Sequence, residues 1–179
     1  MTVTTSDATA PTPRPGGGLT LTLPIAAPPG PILAAFFDPQ ALARWWQVVR
    51  AITVPCSLGA YAIEWAPTEF RDDLLGRLGG VFHGTVMQFD AGRGFFVADA
   101  YWNPPDGEPV GPMALDVSCG PIDSRSWSRL RRPGTNDAGT LLRVVQSGYE
   151  ESPRWRRYYD VVGGGWPRAL ESLKAHVEG

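Results

Sequence analysis

The C-terminal segment constrains this chain more than any other part of it. From Pro153 onward, Trp155, Tyr159, Val162, Trp166, Leu170, Leu173 and Val177 recur at spacings of three and four, the stripe of an amphipathic helix that must lay one face on something apolar. No other segment carries a helical pattern of that length, so the partner surface has to come from β-structure. Gly163-Gly164-Gly165 and Pro167 interrupt the stripe. Each glycine costs about 1 kcal/mol against Ala and an interior proline about 3, so a kink or break is expected at 163–167, with tertiary packing holding the helix together.

The rest of the chain supplies strands. Leu19 to Ile25 alternates apolar and polar residues with period two, as a half-buried strand does. Pro31 suits the first turn of a short helix carrying Ile32, Leu33, Phe36 and Phe37. Asp38-Pro39 ends that helix and caps a second one through Ala41, Leu42, Trp45 and Trp46. Short alternating runs then predict strands near 51–55, 60–66, 81–90, 95–102, 113–118 and 139–147, separated by Gly, Pro and Asp turns. A helical turn is expected within Thr68 to Leu78, and Ile122 to Ala138 reads as a long, Arg-rich surface loop. The fold class is α+β: a helix-grip fold, with a curved antiparallel sheet of about seven strands around the long C-terminal helix and two short helices after strand one.

Composition removes several function classes. With 16 basic and 18 acidic residues the net charge is −2, which lacks the basic excess of a phosphate-backbone binder, so no nucleic-acid partner is expected. An apolar share of 43% with 19% charged residues excludes disorder and coiled coil. Cys56 and Cys119 lie in no C-x-x-C spacing and are expected as free thiols. A zinc site would need both to converge with His83 and His176, so no metal is expected. Residues 1–18 contain no apolar run and read as a disordered tail rather than a signal peptide or anchor. Residues 19–179 form the single domain. No apolar run is long enough to cross a membrane, so no membrane partner is expected and the residual expectation is a cytoplasmic protein. No nucleophile elbow, P-loop or dinucleotide fingerprint occurs, so no cofactor is expected.

Three stretches carry a resemblance to a known family. APPGPILAAFFDPQALARWW gives a helix and then an Asp-Pro-led helix ending in a Trp pair. AGTLLRVVQSGY gives a last strand, and GGGWPRALESLKAHVE a Gly-Trp helix with leucines on one face. In this order they resemble the START-like (SRPBCC) superfamily, within it the branch of heat-shock-protein-90 ATPase activator homologues. Gly59-Ala60 stands where that branch has a Gly pair, and Gln146 where it commonly has a His. The resemblance implies an apolar cavity between sheet and long helix, used by different members for lipids, sterols, polyketide intermediates or other apolar molecules. It also aligns Leu142, Val144 and Gln146 inward on the last strand.

Alternation places Tyr61, Ile63 and Trp65 on one face of the third strand and Met113 and Leu115 on one face of the sixth. Trp45, Trp46, Tyr101, Trp102 and Trp166 complete the candidate lining, with His83 as the best general base if it faces inward. The strands holding His83, Tyr101 and Trp102 carry aromatics on both faces and cannot be oriented by pattern. The function expected is a non-catalytic binding domain for an apolar or aromatic small molecule, with no catalytic residue assigned. The alternatives are a polyketide cyclase-like enzyme using a cavity His or carboxylate, and a chaperone-interacting stress-response protein. Arg125, Arg129, Arg131 and Arg132 around Trp127 make the 122–138 loop a candidate docking patch for an acidic protein partner.

Two tryptophans test the placement of the long helix. Trp166→Ala is expected to cost about 3–5 kcal/mol, as loss of a large buried aromatic does, and Trp127→Ala, in the expected loop, less than about 0.5 kcal/mol. Denaturant melts of both variants measure the difference.

Overall fold

A computed structural model describes residues 10–13, 17–130 and 139–179. Its strands are β1 (Thr12–Pro13), β2 (Gly18–Ile25), β3 (Arg50–Thr53), β4 (Gly59–Trp65), β5 (Arg71–Asp72), β6 (Gly76–Arg77), β7 (Gly80–Asp90), β8 (Gly94–Asn103), β9 (Val110–Pro121) and β10 (Thr140–Ser147). Its helices are α1 (Pro29–Ala34), α2 (Pro39–Trp45), α3 (Ser124–Leu130) and α4 (Pro153–Glu178). The main sheet is antiparallel in the order β1-β2-β10-β9-β8-β7-β4-β3, and the helix-grip architecture read from the sequence is present.

Local chemistry explains each part. In β2, Leu19, Leu21, Leu23 and Ile25 are buried while Thr20 and Thr22 are half-buried on the other face. The Asp38 side chain accepts from the Gln40 N–H at 2.9 Å and starts α2. Register shifts between His83 and Thr85, between Val86 and Gln88, and on the β9 side around Ala100 bend the long central strands. Such bulges curve a sheet enough for it to wrap a helix.

α4 lies in that curve. It buries Trp155, Tyr158, Trp166, Leu170 and Leu173, and Glu178 near its end accepts from the Ala26 N–H at the end of β2, 2.7 Å away. The expected kink or break at 163–167 does not interrupt it: helix runs from Pro153 to Glu178 with Pro167 inside. Burial of Trp166 on one side of the glycines and of Leu170 and Leu173 beyond the proline outweighs their low propensity.

Three further expectations are corrected. The segment 68–78 holds no helical turn but the two-stranded β5–β6 ribbon; Asp72, accepting from the backbone N–H groups of Leu74 and Leu75, makes the turn instead. The 122–138 segment is not all loop, because Asp123 accepts from Arg125 and Ser126 N–H and starts α3. Within α3, Trp127 is half-buried, and a Cβ added at Gly139 would fall 2.4 Å from its ring, so the small cost assigned to Trp127→Ala does not fit its packing. Arg131 and Arg132 lie outside the described residues, as do 1–9 and 14–16 of the expected tail. Within that tail Thr12 and Pro13 pair with Thr20 and Leu19.

The helix glycines yield a stability prediction. Gly164 is exposed and a Cβ added there meets nothing within 4 Å, so Gly164→Ala should raise stability by about 1 kcal/mol. A denaturant melt showing loss instead would mean that α4 requires glycine there.

Candidate functional site

At one end of the grip the tryptophans converge. α2 ends on Trp45 and Trp46, β4 on Trp65, while β8 brings Trp102 and α4 brings Trp166. Trp46 is the hub: it stacks on Trp45 with ring centroids 4.8 Å apart, meets the edge of Trp65 at 5.1 Å and lies 4.8 Å from Trp166. Together these rings wall a cleft of about 660 Å³, open on one side, between α4, the end of α2, β4, β7, β8 and the β5–β6 ribbon. Clefts of about 300–1,000 Å³ suit small organic ligands.

Several polar atoms of the wall are spent within the protein. The indole N–H groups of Trp45, Trp65 and Trp102 donate to the carbonyls of Ala35, Trp46 and Gly79 at 2.9, 2.9 and 2.7 Å. Trp166 donates to Gln146 Oε1 at 3.0 Å, and Gln146 Nε2 donates to the Tyr158 hydroxyl at 2.6 Å and to Met113 sulfur at 3.3 Å. What lines the cleft is mainly apolar, the Trp rings with Leu75, Leu78, Val161 and Val162. Among the described residues, Arg168 is the only charged one on its wall, and no His, Asp or Glu lines it.

Of the residues singled out in the sequence, Trp45, Trp46, Trp65, Trp102, Leu115, Gln146 and Trp166 line the cleft. Tyr61, Ile63, Leu142 and Val144 are completely buried and Met113 nearly so; they fill the core instead. The Tyr61 hydroxyl has no hydrogen-bond partner there, and burial pushes its ionisation far above that of an ordinary tyrosine. His83 and Tyr101 occupy the other face of their strands, opposite buried Phe82 and Trp102, and stack on each other with centroids 6.0 Å apart. His83 is thus removed from the cleft, and the facing of β7 and β8, undecidable from pattern, is set by this alternation.

Sequence reasoning missed Tyr158, Leu75, Leu78 and Gly165. Periodicity admits either Tyr158 or Tyr159 on the helix stripe, since both lie three or four residues from Trp155 and Val162. The structure buries Tyr158 and sends the half-buried Tyr159 hydroxyl to the Gly148 carbonyl at 2.5 Å. A Cβ added at Gly165 meets nothing within 4 Å, so this glycine leaves open space in the cleft rather than drawing the helix onto the sheet as close packing would.

The ribbon that supplies Leu75 is pinned by charge. Asp72, 6% exposed, accepts from Arg157 Nε at 2.6 Å. Arg154 donates to the carbonyls of Leu74 at 3.3 Å, Pro109 at 3.1 Å and Glu108. Arg154 and Arg157, at the start of α4, therefore hold the ribbon and the 104–109 loop. Burial pushes the Asp72 carboxyl up, but the bonds from Arg157, Leu74 and Leu75 outweigh it and hold it below its usual range.

Among the described residues no three His, Cys, Asp or Glu side chains gather as metal ligands. Cys56 and Cys119 are free thiols, and burial pushes Cys119 up to about 11. No helix among the described residues is long and apolar enough to cross a membrane.

With this geometry in hand, comparison with known proteins gives the fold. No family model and no curated protein matches the chain. Solved structures do. Protein MLL2253 from Mesorhizobium loti is 21% identical, with a TM-score of 0.58 over 89% of this chain and 96% of its own. A Rhodobacter sphaeroides protein is 15% identical, with a TM-score of 0.61 over 94% of each chain. CalU16 from Micromonospora echinospora is 15% identical, with a TM-score of 0.55 over 94% of this chain and 82% of its own. They share the antiparallel sheet with a C-terminal helix.

The depressed Asp72 carboxyl stabilises the fold above the ordinary carboxylate pKa of about 3.9. Protonation removes that contribution as pH falls below this value and through the lower folded one. Asp72→Asn should therefore be less stable than wild type at pH 7, and the gap should narrow as pH falls below about 3.9. Urea melts across that range read the gap, and a constant one would show that charge pairing is not what pins the ribbon.

Proposed function

We propose that this chain is a small-molecule binding domain of the START-like (SRPBCC) type, resembling the heat-shock-protein-90 ATPase activator homologue branch, whose aromatic cleft holds an apolar or aromatic ligand. The observation that carries the reading is the convergence of five Trp rings on one open cleft with three of their N–H groups spent on backbone carbonyls. Such a wall offers contact area and few directional bonds, which favours an apolar, flat ligand. The cyclase-like alternative is weakened, because proton transfer near neutral pH calls for a group such as His or a carboxylate within reach and none lines the cleft.

Titration with polycyclic hydrocarbons, followed by Trp fluorescence, should give saturable quenching. Gly165→Leu projects a side chain into the open space and should weaken that binding about tenfold or more, while α4 is as stable as before or more so. The absence of saturable binding to the wild type, or equal affinity in the variant, would overturn the reading.

A further inference from the structure

The hydrogen bonds on the cleft wall have a direction, and it is set by Trp166. An indole N–H donates and cannot accept. The atom of Gln146 facing it at 3.0 Å must therefore be the amide oxygen. That leaves the amide NH2 toward Tyr158, 2.6 Å from the hydroxyl oxygen. An amide NH2 likewise only donates, so the Tyr158 oxygen accepts and its own proton has to point away from Gln146. No described residue receives that proton. Tyr158 is only 4% exposed and belongs to the wall of the cleft. A buried hydroxyl proton without an acceptor carries a cost, and the open space beside it is the cleft.

We propose that Tyr158 donates a hydrogen bond to an acceptor oxygen, a carbonyl or oxyanion, on the ligand in the cleft, with its proton aimed there by the Trp166–Gln146 pair. This rests on the reading of the cleft as a ligand site and narrows the ligand to an apolar body that carries an oxygen acceptor into the wall. The incoming bond from Gln146 polarises the hydroxyl and strengthens it as a donor. Burial, the larger influence on its ionisation, holds it protonated well above the range of an ordinary tyrosine. The wall also favours an acceptor electrostatically. Five Trp rings could cage a cation, but among the described residues the only charge on the wall is the positive Arg168, with no carboxylate to offset it.

Fluorenone and fluorene, which differ by one carbonyl, are suitable probes by calorimetry. The preference for fluorenone over fluorene should fall about fivefold in Tyr158→Phe, the worth of one neutral hydrogen bond. It should fall similarly in Trp166→Phe, where Tyr158 is retained but Gln146 becomes free to turn its oxygen toward the hydroxyl and capture the proton. A purely structural role for Trp166 would weaken both probes alike and leave the preference unchanged. Either variant, once its near-ultraviolet circular dichroism shows a native fold, decides the matter. A preference equal to that of the wild type in a folded variant overturns the donor assignment alone. Binding of neither probe to the wild type overturns the ligand reading and the donor assignment with it.

Discussion

The indole of Trp166 is the joint on which this structure depends. Its N–H reaches across from α4 to the Gln146 amide on β10, and its ring meets Trp46 at the end of α2. One side chain thus ties together the long helix, strand β10 of the sheet and the helical segment after β2. A helix containing three glycines and a proline holds itself weakly, so its continuity comes from what it is packed against. Trp155 and Tyr158 before the glycines, and Leu170 and Leu173 after them, supply that packing.

The same joint decides where the interior is full and where it is open. Toward the α1–β2 end, Ile25, Ile32 and Leu33 are completely buried. Toward the other end the packing stops at a ring of tryptophans. There the helix contributes glycine where a side chain would close the space, and the β5–β6 ribbon, held by Arg157 and Arg154, forms the far wall. At Gly165, low helix propensity and open space in the cleft come from one residue.

The chemistry of the cleft is one of surface and orientation. Its charged member is Arg168 and its internal polar network runs in one direction, from Trp166 through Gln146 to Tyr158. His83, by residue type the natural base, lies on the face of β7 opposite buried Phe82. Neighbours sharing the fold at 15 to 21% identity fix the architecture and leave function to these side chains.

Much of the fold was legible in the sequence because its cues are local. Period-two alternation marked β2 and β4, Asp38-Pro39 marked the helix boundary, and the three-four stripe marked α4. The cleft was legible only in part. The Trp pair of α2, Trp65, Trp102, Gln146 and Trp166 could be named from their faces and from the family resemblance, but other candidates of equal pattern, Tyr61, Ile63, Leu142 and Val144, belong to the filled core. Alternation tells inside from outside and not a packed interior from a lined space. Tyr158 and Tyr159 sit equally well on a helical stripe, and only a partner on another element, Gln146 for one and Gly148 for the other, separates them. The turn of the β5–β6 ribbon is local, made by Asp72 with Leu74 and Leu75, but what pins the ribbon in place is Arg157, 85 residues along the chain from Asp72. Sequence by itself determined which segments are strands and helices and which faces are apolar, since those follow from local backbone preference and period. Tertiary structure decided which apolar faces meet and where they leave a gap, because contacts between distant segments depend on sheet curvature and side-chain volume.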